Sequence, residues 1–234
     1  MKKIIFPFLG ICMFVLSGCF KTGPNVNYYS EEPAIVGLSD SFQPTLITQF
    51  GTFIAPDLQS KIFSDVMEGD ALLTQFSVNL DQQPYTASDL EYFKIEKEYP
   101  RATTGGESSS DDYNFPIENM GLYGRVGNNL FFIFVHTAPA DQGFAYEMTY
   151  DSELEDETIV VYIRARKTNE VTNSEKLFSI PFAFYMGYFF SEYKDVNKKV
   201  RITFRYKTGV DEEGNEKFAT YSYYGNSVFE FLVD

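Results

Sequence analysis

Apolar and polar residues alternate along many short segments of this chain, which is the pattern of half-buried β-strands. The clearest segment is KVRITFRYK at Lys199–Lys207. Its apolar positions, predicted to face a core, are Val200, Ile202, Phe204 and Tyr206. The positions between them, predicted to face solvent, are Arg201, Thr203, Arg205 and Lys207. The same alternation over Thr158–Arg166 places Arg164 and Arg166 on an outer face. The continuous apolar run at Leu130–Thr137 predicts a strand buried on both faces.

Further strand-like segments lie throughout the chain. They are Pro44–Pro56, Gly69–Leu80, Leu90–Tyr99, Phe178–Phe184, Phe218–Tyr224 and Val228–Val233. One short helical turn is predicted to start at Pro56-Asp57, because Leu58 and Ile62 would share a face. Strands at this spacing with almost no helix predict an all-β protein, built as a sandwich or a barrel.

The hydrophilic segment RATTGGESSSDDYN at Arg101–Asn114 is predicted to be a mobile loop or a disordered insert. Together with the chain length of 234 residues, it indicates two β domains that meet near Asn119–Asn128. The predicted domains cover residues 34–120 and 125–234. Residues 19–33 lack periodicity and are predicted to be a flexible tether, whose part from Phe20 to Pro33 reaches at most ~45–50 Å.

The first residues have the organisation of a secretory signal. Lys2 and Lys3 precede an apolar run of 13 residues, Ile4–Leu16, which is too short for a spanning helix. The run ends in Leu16-Ser17-Gly18-Cys19, which matches the lipobox of bacterial lipoproteins. Residues 1–18 are therefore predicted to be a lipoprotein signal peptide, and the Cys19 thiol is predicted to carry the lipid.

Lipidation of Cys19 would attach the protein to a bilayer, because two or more acyl chains give stable anchoring. No later stretch approaches 18 uninterrupted apolar residues, so no transmembrane segment is predicted. Phe20 is not the aspartate that retains many lipoproteins at the inner membrane, which favours the outer membrane. The sequence leaves open whether the protein faces the periplasm or the cell surface.

The charge balance excludes nucleic acid as a partner. Loss of Lys2 and Lys3 with the signal leaves 17 basic and 33 acidic residues, and 17 − 33 gives a net charge of −16. Nucleic-acid affinity depends on Lys and Arg that neutralise phosphates, and such a surface repels phosphate. Cys12 lies in the signal, so the mature chain is predicted to form no disulfide and to depend on packing of its 24 Phe and 17 Tyr residues.

The sequence offers little material for a catalytic or metal site. His136 is the only histidine, so neither a triad nor a zinc site is expected, and a structural role is predicted. The acidic run Asp151–Glu157 is interpreted as a solvated turn. The segment Asp211–Glu216 lacks the spacing of a calcium loop and is interpreted as a hairpin tip that includes Gly214 and Asn215. We therefore expect no catalytic residues, no metal and no cofactor.

The aromatic residues are the best sequence evidence for binding. Tyr221, Tyr223 and Tyr224 lie in one predicted strand, and rings of this kind anchor protein interfaces and stack on sugars. Arg201 and Arg205 on the predicted outer face could receive an anionic partner. The alternative is that the tyrosines pack into the core and that the arginines pair with acids on neighbouring strands.

Three stretches carry a resemblance to a known family. Gly69-Asp70-Ala71-Leu72-Leu73 places a Gly-Asp pair before an aliphatic strand, and the second half contains TIVVYIRARKTNE at Thr158–Glu170 and LFSIPF at Leu177–Phe182. With the lipobox, this layout resembles the NigD-like envelope lipoproteins. The resemblance implies a small OB-like β-barrel followed by an antiparallel β-sandwich, and an association with bacteriocin immunity.

These observations predict a non-enzymatic lipoprotein with a binding or protective role in the bacterial envelope. The bilayer would be one partner, through acylated Cys19. A second partner would be an envelope protein. The alternatives are a glycan-binding accessory of polysaccharide uptake and, third, a hydrolase that uses two carboxylates.

Overall fold

A computed structural model describes residues 24–139, 141–151 and 158–233. The predicted signal peptide and the lipobox residues Leu16, Ser17, Gly18 and Cys19 lie outside the described residues. Of the acidic run at Asp151–Glu157, only Asp151 is described. The regular secondary structure of the described chain consists almost entirely of strands, which confirms the all-β prediction.

The first part of the chain forms one antiparallel five-stranded sheet with the strand order β3-β2-β1-β4-β5. Its strands are β1 (Val26–Leu38), β2 (Pro44–Thr48), β3 (Gly51–Ile54), β4 (Ala71–Asn79) and β5 (Ala87–Ile95). The sheet curls so that its two edges meet at one parallel bridge between Ile54 and Thr86. The edges share no continuous ladder, so the sheet is not a closed barrel. The strand order and the partial closure are those of an OB-like fold.

The predicted helical turn is present as a 3-10 turn at Pro56–Leu58. Pro56 starts the turn, where its missing N–H costs no hydrogen bond, and Leu58 is fully buried in the core of the five-stranded sheet. The turn therefore closes one end of this core.

The predicted tether is wrong for Val26 to Pro33. These residues belong to β1 and pair with β4, from Val26 opposite Asn79 to Pro33 opposite Leu73. A bulge between Tyr29 and Glu32 interrupts the ladder and disturbs the alternation of side chains. The sequence pattern does not reveal this strand because, of its first six residues, only Tyr29 is partly buried.

The second part forms a six-stranded and a four-stranded sheet that pack face to face. Their strands are β6 (Lys97–Glu98), β7 (Arg101–Thr103), β8 (Asn119–Val126), β9 (Asn129–Pro139), β10 (Phe144–Asp151), β11 (Thr158–Lys167), β12 (Glu175–Tyr185), β13 (Lys199–Val210), β14 (Glu216–Thr220) and β15 (Val228–Leu232). One sheet has the order β14-β13-β11-β10-β7, with β15 also on β13, and the other has the order β6-β12-β9-β8. Most pairs are antiparallel, as predicted for a sandwich, and three are parallel: β7 with β10, β11 with β13, and β6 with β12.

Aromatic rings fill the space between these two sheets. Phe132 meets Phe204 edge to face with ring centroids 5.3 Å apart, and Phe134 stacks on Tyr146 at 4.3 Å. The inner face of β13 is buried as the alternation predicts. One short helix that the pattern did not predict, α1 (Gly187–Tyr193), adds Phe189 and Phe190 to the same core. Aromatic packing thus stabilises a sandwich that has no disulfide among its described residues.

The chain passes from the curled sheet to the sandwich at Glu96, between β5 and β6. The division into 34–120 and 125–234 therefore separates Lys97–Thr103 from the sheets in which they pair. A small apolar cluster joins the two parts: Ile35, Ala71 and Ile95 on one side meet buried residues of the sandwich on the other. Those residues are Val126, Phe131 and Ala183.

Candidate binding surface

The predicted tyrosines lie at one edge of the six-stranded sheet. β14 and β15 both pair with β13 along the same edge, so they act as one long strand with an interruption. The last backbone hydrogen bond before the interruption runs from the Tyr221 N–H to the Phe204 carbonyl at 2.9 Å. Residues Ser222–Ser227 then leave the sheet, and pairing resumes at Val228, opposite Thr203. We call Ser222–Ser227 the tyrosine loop.

A tight two-residue turn holds the tip of the tyrosine loop. The Tyr223 N–H donates to the Asn226 carbonyl at 2.9 Å, and the Asn226 N–H returns a bond of 3.0 Å to the Tyr223 carbonyl. The two central residues, Tyr224 and Gly225, have φ angles of 50° and 83°. Positive φ at both positions is the geometry of a type I′ hairpin turn, which glycine adopts readily and tyrosine does not.

Two of the three predicted tyrosines are presented to solvent and one is not. Tyr223 is 58% exposed and Tyr224 is 90% exposed, and their ring centroids lie 4.5 Å apart, edge to face. Tyr221 instead stacks on Phe229 at 5.3 Å and packs against the sandwich core. The loop therefore displays a pair of rings on a constrained backbone.

The two predicted arginines lie on the outer face of β13 near this loop. Arg205 is opposite Thr220, two residues before the loop, and its guanidinium lies 5.9 Å from the Tyr162 ring centroid. It forms no ion pair with an acidic residue of the described chain. Arg201 donates to Glu230 at 3.3 Å, and Lys199 binds the same carboxylate at 2.5 Å. Arg201 thus matches the alternative interpretation, pairing with an acid across the sheet.

The prediction that Arg164 and Lys207 face solvent is wrong. Arg164 is 2% exposed and Lys207 is 4% exposed. The Arg164 guanidinium binds both carboxylate oxygens of Glu216, at 2.8 and 2.7 Å, and the Lys207 ammonium lies 2.9 Å from the same carboxylate. Burial by itself would raise the pKa of Glu216, but the hydrogen bonds from the two cations outweigh it and hold that pKa below its ordinary value.

The segment Arg101–Asn114, predicted to be mobile or disordered, covers the Arg164 and Lys207 side chains and accepts hydrogen bonds from them. Its Ser108 and Ser109 hydroxyls each donate to the buried Glu147 carboxylate at 2.5 Å, and its Tyr113 carbonyl accepts from Lys207 at 3.2 Å. We call Arg101–Asn114 the covering loop. The sequence indicates that its polar residues face solvent, but several of them form hydrogen bonds with buried polar groups on the outer face of the sheet.

Gly106 lies where the covering loop comes closest to strands β10 and β11. Its carbonyl accepts hydrogen bonds from Thr149 at 2.8 Å and from Arg164 at 3.1 Å. Its φ is 73°, and a Cβ at this position would lie 2.4 Å from the Tyr162 ring. Only glycine fits this backbone without displacing the ring.

His136 is a structural residue, as predicted. It is fully buried, with its Nδ1 2.9 Å from the Pro116 carbonyl and its Nε2 2.8 Å from the Tyr146 hydroxyl. Its ring stacks on Phe144 at 4.3 Å, and burial lowers the pKa of His136. Both ring nitrogens therefore have hydrogen-bond partners within the core.

The acidic hairpin tip is held by its own hydrogen bonds. The Asp211 carboxylate accepts from the backbone N–H groups of Glu213 at 2.9 Å and Asn215 at 2.8 Å. These bonds depress the pKa of Asp211. Among residues 24–139, 141–151 and 158–233, no group of three or more His, Cys, Asp or Glu side chains is placed to hold a metal ion.

Sequence reasoning missed a pair of carboxylates in β1, because it assigned them to the tether. Glu32 is 6% exposed, and its Oε1 has no hydrogen-bond partner in the described chain. Burial raises the pKa of Glu32, which hydrogen bonds from Gln49 only partly offset. The neighbouring Glu31 has a φ of 53° and accepts from the Tyr123 hydroxyl at 3.3 Å, across the junction with the sandwich. Burial and the charge of Glu31 raise the pKa of Tyr123 to about 12.

Replacing Glu32 with glutamine is expected to stabilise the protein at neutral pH by on the order of 1 kcal/mol, or ~2–4 °C in Tm. The reason is that ionisation of a carboxyl whose folded-state pKa is raised destabilises the folded protein. The gain in stability from glutamine is therefore fully present above that raised pKa, and it shrinks as the pH falls towards the unfolded pKa near 4.5. Thermal unfolding at pH 7.5, 5.5 and 4.0 measures this. Glu31→Gln is the matched control and should change Tm little; a Glu32→Gln variant less stable than the parent at pH 7.5 would contradict the prediction.

A shallow groove of about 220 Å³ lies on the outer face of the curled sheet. Glu31, Gln75, Glu91 and the exposed ring of Phe93 are among the residues that line it. Its volume is below the roughly 300–1,000 Å³ of ordinary small-molecule sites.

The fold and the surface together define a two-part β protein, an OB-like sheet followed by a sandwich that displays a tyrosine loop. Solved structures share this fold. An uncharacterised protein from Parabacteroides merdae superposes with a TM-score of 0.71 at 16% identity, over 87% of this chain and 98% of its own. A NigD-like immunity protein from Bacteroides caccae has a TM-score of 0.54 at 14% identity, over 91% and 99% of the two chains. A candidate lipoprotein from Bacteroides fragilis has a TM-score of 0.55 at 13% identity, over 85% and 97%.

The resemblance to NigD-like proteins is thus confirmed at the level of the fold. No protein-family model matches the chain, and no curated protein matches it. Within the part of the chain that the structure describes, no helix is long and apolar enough to cross a membrane.

Proposed function

We propose that this protein is a lipoprotein of the bacterial outer membrane, anchored through Cys19, that binds an envelope protein without catalysing a reaction. The lipobox supports the anchor. The similar folds of a candidate lipoprotein and of a NigD-like immunity protein support the envelope location and a protective role such as bacteriocin immunity. The sealed environment of His136 and the hydrogen-bonded hairpin tip at Asp211 agree with a non-enzymatic role.

The partner is proposed to bind at the tyrosine loop. Tyrosine is enriched at the energetic centres of protein interfaces, because a rigid ring buries a large area and its hydroxyl can still hydrogen-bond. The I′ turn at Tyr224 already fixes the backbone, so little conformational entropy would be lost on binding. Arg205, which has no ion pair with a described acid, offers a cationic group on β13 opposite Thr220, two residues before the loop.

A photo-cross-linking residue in place of Tyr224 is expected to capture this partner in intact envelopes. Tyr224 is 90% exposed and contacts no core residue, so an aromatic photo-cross-linking residue in its place leaves the core packing intact. The matched control places the same residue at Val196, which is also exposed but lies in the turn before β13. A discrete adduct from position 224 that is absent from position 196 supports the proposal. Equal adducts, or none at position 224, would contradict it.

With the captured partner in hand, the double variant Tyr223→Ser/Tyr224→Asn is expected to bind at least ~30-fold more weakly, as for hot-spot residues worth about 2 kcal/mol. Asparagine is chosen at position 224 because it tolerates the positive φ of the turn. An unchanged affinity with unchanged Tm would place the interface elsewhere.

Glycan binding is the second candidate, favoured by the groove beside Phe93. An exposed ring next to Glu31 and Glu91 could stack on a sugar and accept hydrogen bonds from its hydroxyls. The groove is small and open, so protein binding is placed first. Specific binding of the soluble body to a glycan array, lost in Phe93→Ala, would reverse this order.

A further inference from the structure

The length of β1 changes how far the folded body can lie from its anchor. The Asn25 N–H donates to the Asp81 carboxylate at 2.9 Å, and the Leu80 N–H donates to the Asn25 carbonyl at 2.8 Å. The folded structure therefore already holds the chain at Asn25. From Cys19 to Asn25 there are six residues, which span at most ~20–22 Å even when fully extended.

This short connection restricts which end of the body can face the lipid. Val26 starts β1 and is paired with Asn79, beside the turn from Leu80 to Thr86 that joins β4 to β5. β1 then runs for 13 residues, up to ~40 Å, to the opposite end of the sheet. There the turn Ser39–Gln43 presents an exposed Phe42.

The end of the sheet nearest to Cys19, formed by the start of β1 and the β4–β5 turn, is called the near end. Its exposed side chains are of the kind found at lipid headgroups. Val26 and Tyr28 are both at least half exposed, although they lie in a strand. Tyrosine is favoured at membrane interfaces because its ring is apolar and its hydroxyl is polar. In a chain rich in acids, the β4–β5 turn contains one acid, Asp81, whose carboxylate accepts the Asn25 N–H.

We propose that the start of β1 and the β4–β5 turn form a bilayer-facing surface, on which Val26 and Tyr28 contact lipid headgroups, so that the Phe42 end points away from the membrane. The proposal rests on the lipoprotein function proposed above, because the acyl chains on Cys19 supply the attachment. It replaces a loose tether with a defined orientation, in which the far end of β1 is the part presented to the aqueous space.

Single-tryptophan variants test this orientation without background tryptophan fluorescence, because the chain contains no tryptophan. Tyr28→Trp reports on the near end and Phe42→Trp is the matched control; both replace an exposed aromatic residue with another. Each lipidated protein is purified from membranes and placed in phosphatidylcholine vesicles in which some headgroups carry a nitroxide quencher. We expect strong quenching of the Tyr28→Trp protein and several-fold weaker quenching of the Phe42→Trp protein.

A third sample tests whether the quenching depends on the short connection between Cys19 and Asn25 or on non-specific adsorption of the protein to the vesicle. Twelve Gly/Ser residues inserted after Thr22 lengthen the connection by ~20 Å on average and should reduce quenching of the Tyr28→Trp protein. Equal quenching at the two positions in a lipidated chain of native length overturns the orientation alone. Mass spectrometry of the N-terminal peptide distinguishes the other failure, since a chain without lipid overturns both the anchor and the orientation.

Discussion

Replacing Glu216 with alanine is expected to destabilise the protein by about 2–4 kcal/mol, because it leaves two buried cations without their partly exposed counter-charge. Arg164 and Lys207 are both buried and lose a carboxylate partner whose own side chain is 31% exposed, so water can replace it only in part. In a protein of this size that loss corresponds to a fall in Tm of roughly 4–16 °C. Urea unfolding of the body from residue 24 onward, followed by circular dichroism, measures the change in free energy.

Two controls show whether the uncompensated charges are the cause. Glu213→Ala removes an equal charge from the exposed hairpin tip of the same strand pair and should alter the free energy of unfolding by less than ~0.5 kcal/mol. The triple variant Arg164→Met/Lys207→Met/Glu216→Leu removes all three charges together and should recover most of the lost stability. A Glu216→Ala variant as stable as Glu213→Ala would show that the cations are solvated after all.

The same ion cluster predicts a direction for acid unfolding. The folded-state pKa of Glu216 is lower than its ordinary value near 4.5, so its stabilisation is fully present above that value and is lost as the pH falls through the folded-state pKa. Stability of the parent should therefore fall more steeply below pH 4.5 than that of the triple variant, which has no carboxylate to protonate.

Replacing Cys19 with serine is expected to abolish membrane association, moving the protein from the membrane fraction to the soluble fraction. A hydroxyl cannot accept the thioether-linked lipid, and the acyl chains that would anchor the protein are then absent. Phase separation in detergent, together with metabolic labelling by a clickable fatty acid, measures both consequences. The signal would remain uncleaved by the lipoprotein-specific pathway, so the precursor size is a further readout.

Cys12→Ser is the matched control, because this second cysteine lies inside the predicted signal peptide. It should leave labelling and membrane association unchanged. If the Cys19→Ser protein remained in the membrane fraction as before, or if Cys12→Ser lost the label instead, the lipoprotein assignment would be wrong.

Local alternation was sufficient to predict the strands that pack one face into a core. β13 is the clearest case, since Val200, Ile202 and Phe204 are buried as their spacing requires. The same reasoning failed for Lys207 and Arg164, because alternation shows only that two faces differ. It cannot show that a distant segment of the chain covers the second face.

The tyrosine loop was predictable only in part. The sequence identified three tyrosines as candidates, but it placed them in one continuous strand. Whether each ring packs or is presented depends on where the edge strand leaves β13, and that is set by pairing with residues about 20 positions away. Tyr221 therefore joins the core, while Tyr223 and Tyr224 project from a turn.

By itself the sequence determined the all-β class, the inner faces of the strands and a lipobox, because each depends on spacing or motif within a short window. Only the tertiary structure decided that Glu31 and Glu32 belong to a strand, that the covering loop accepts hydrogen bonds from the buried Arg164 and Lys207, and that the chain enters its fold at Asn25. These features depend on hydrogen bonds and burial between residues far apart in the chain. No local pattern contains that information, because the sequence of a polar segment does not show whether its side chains face water or a buried charge.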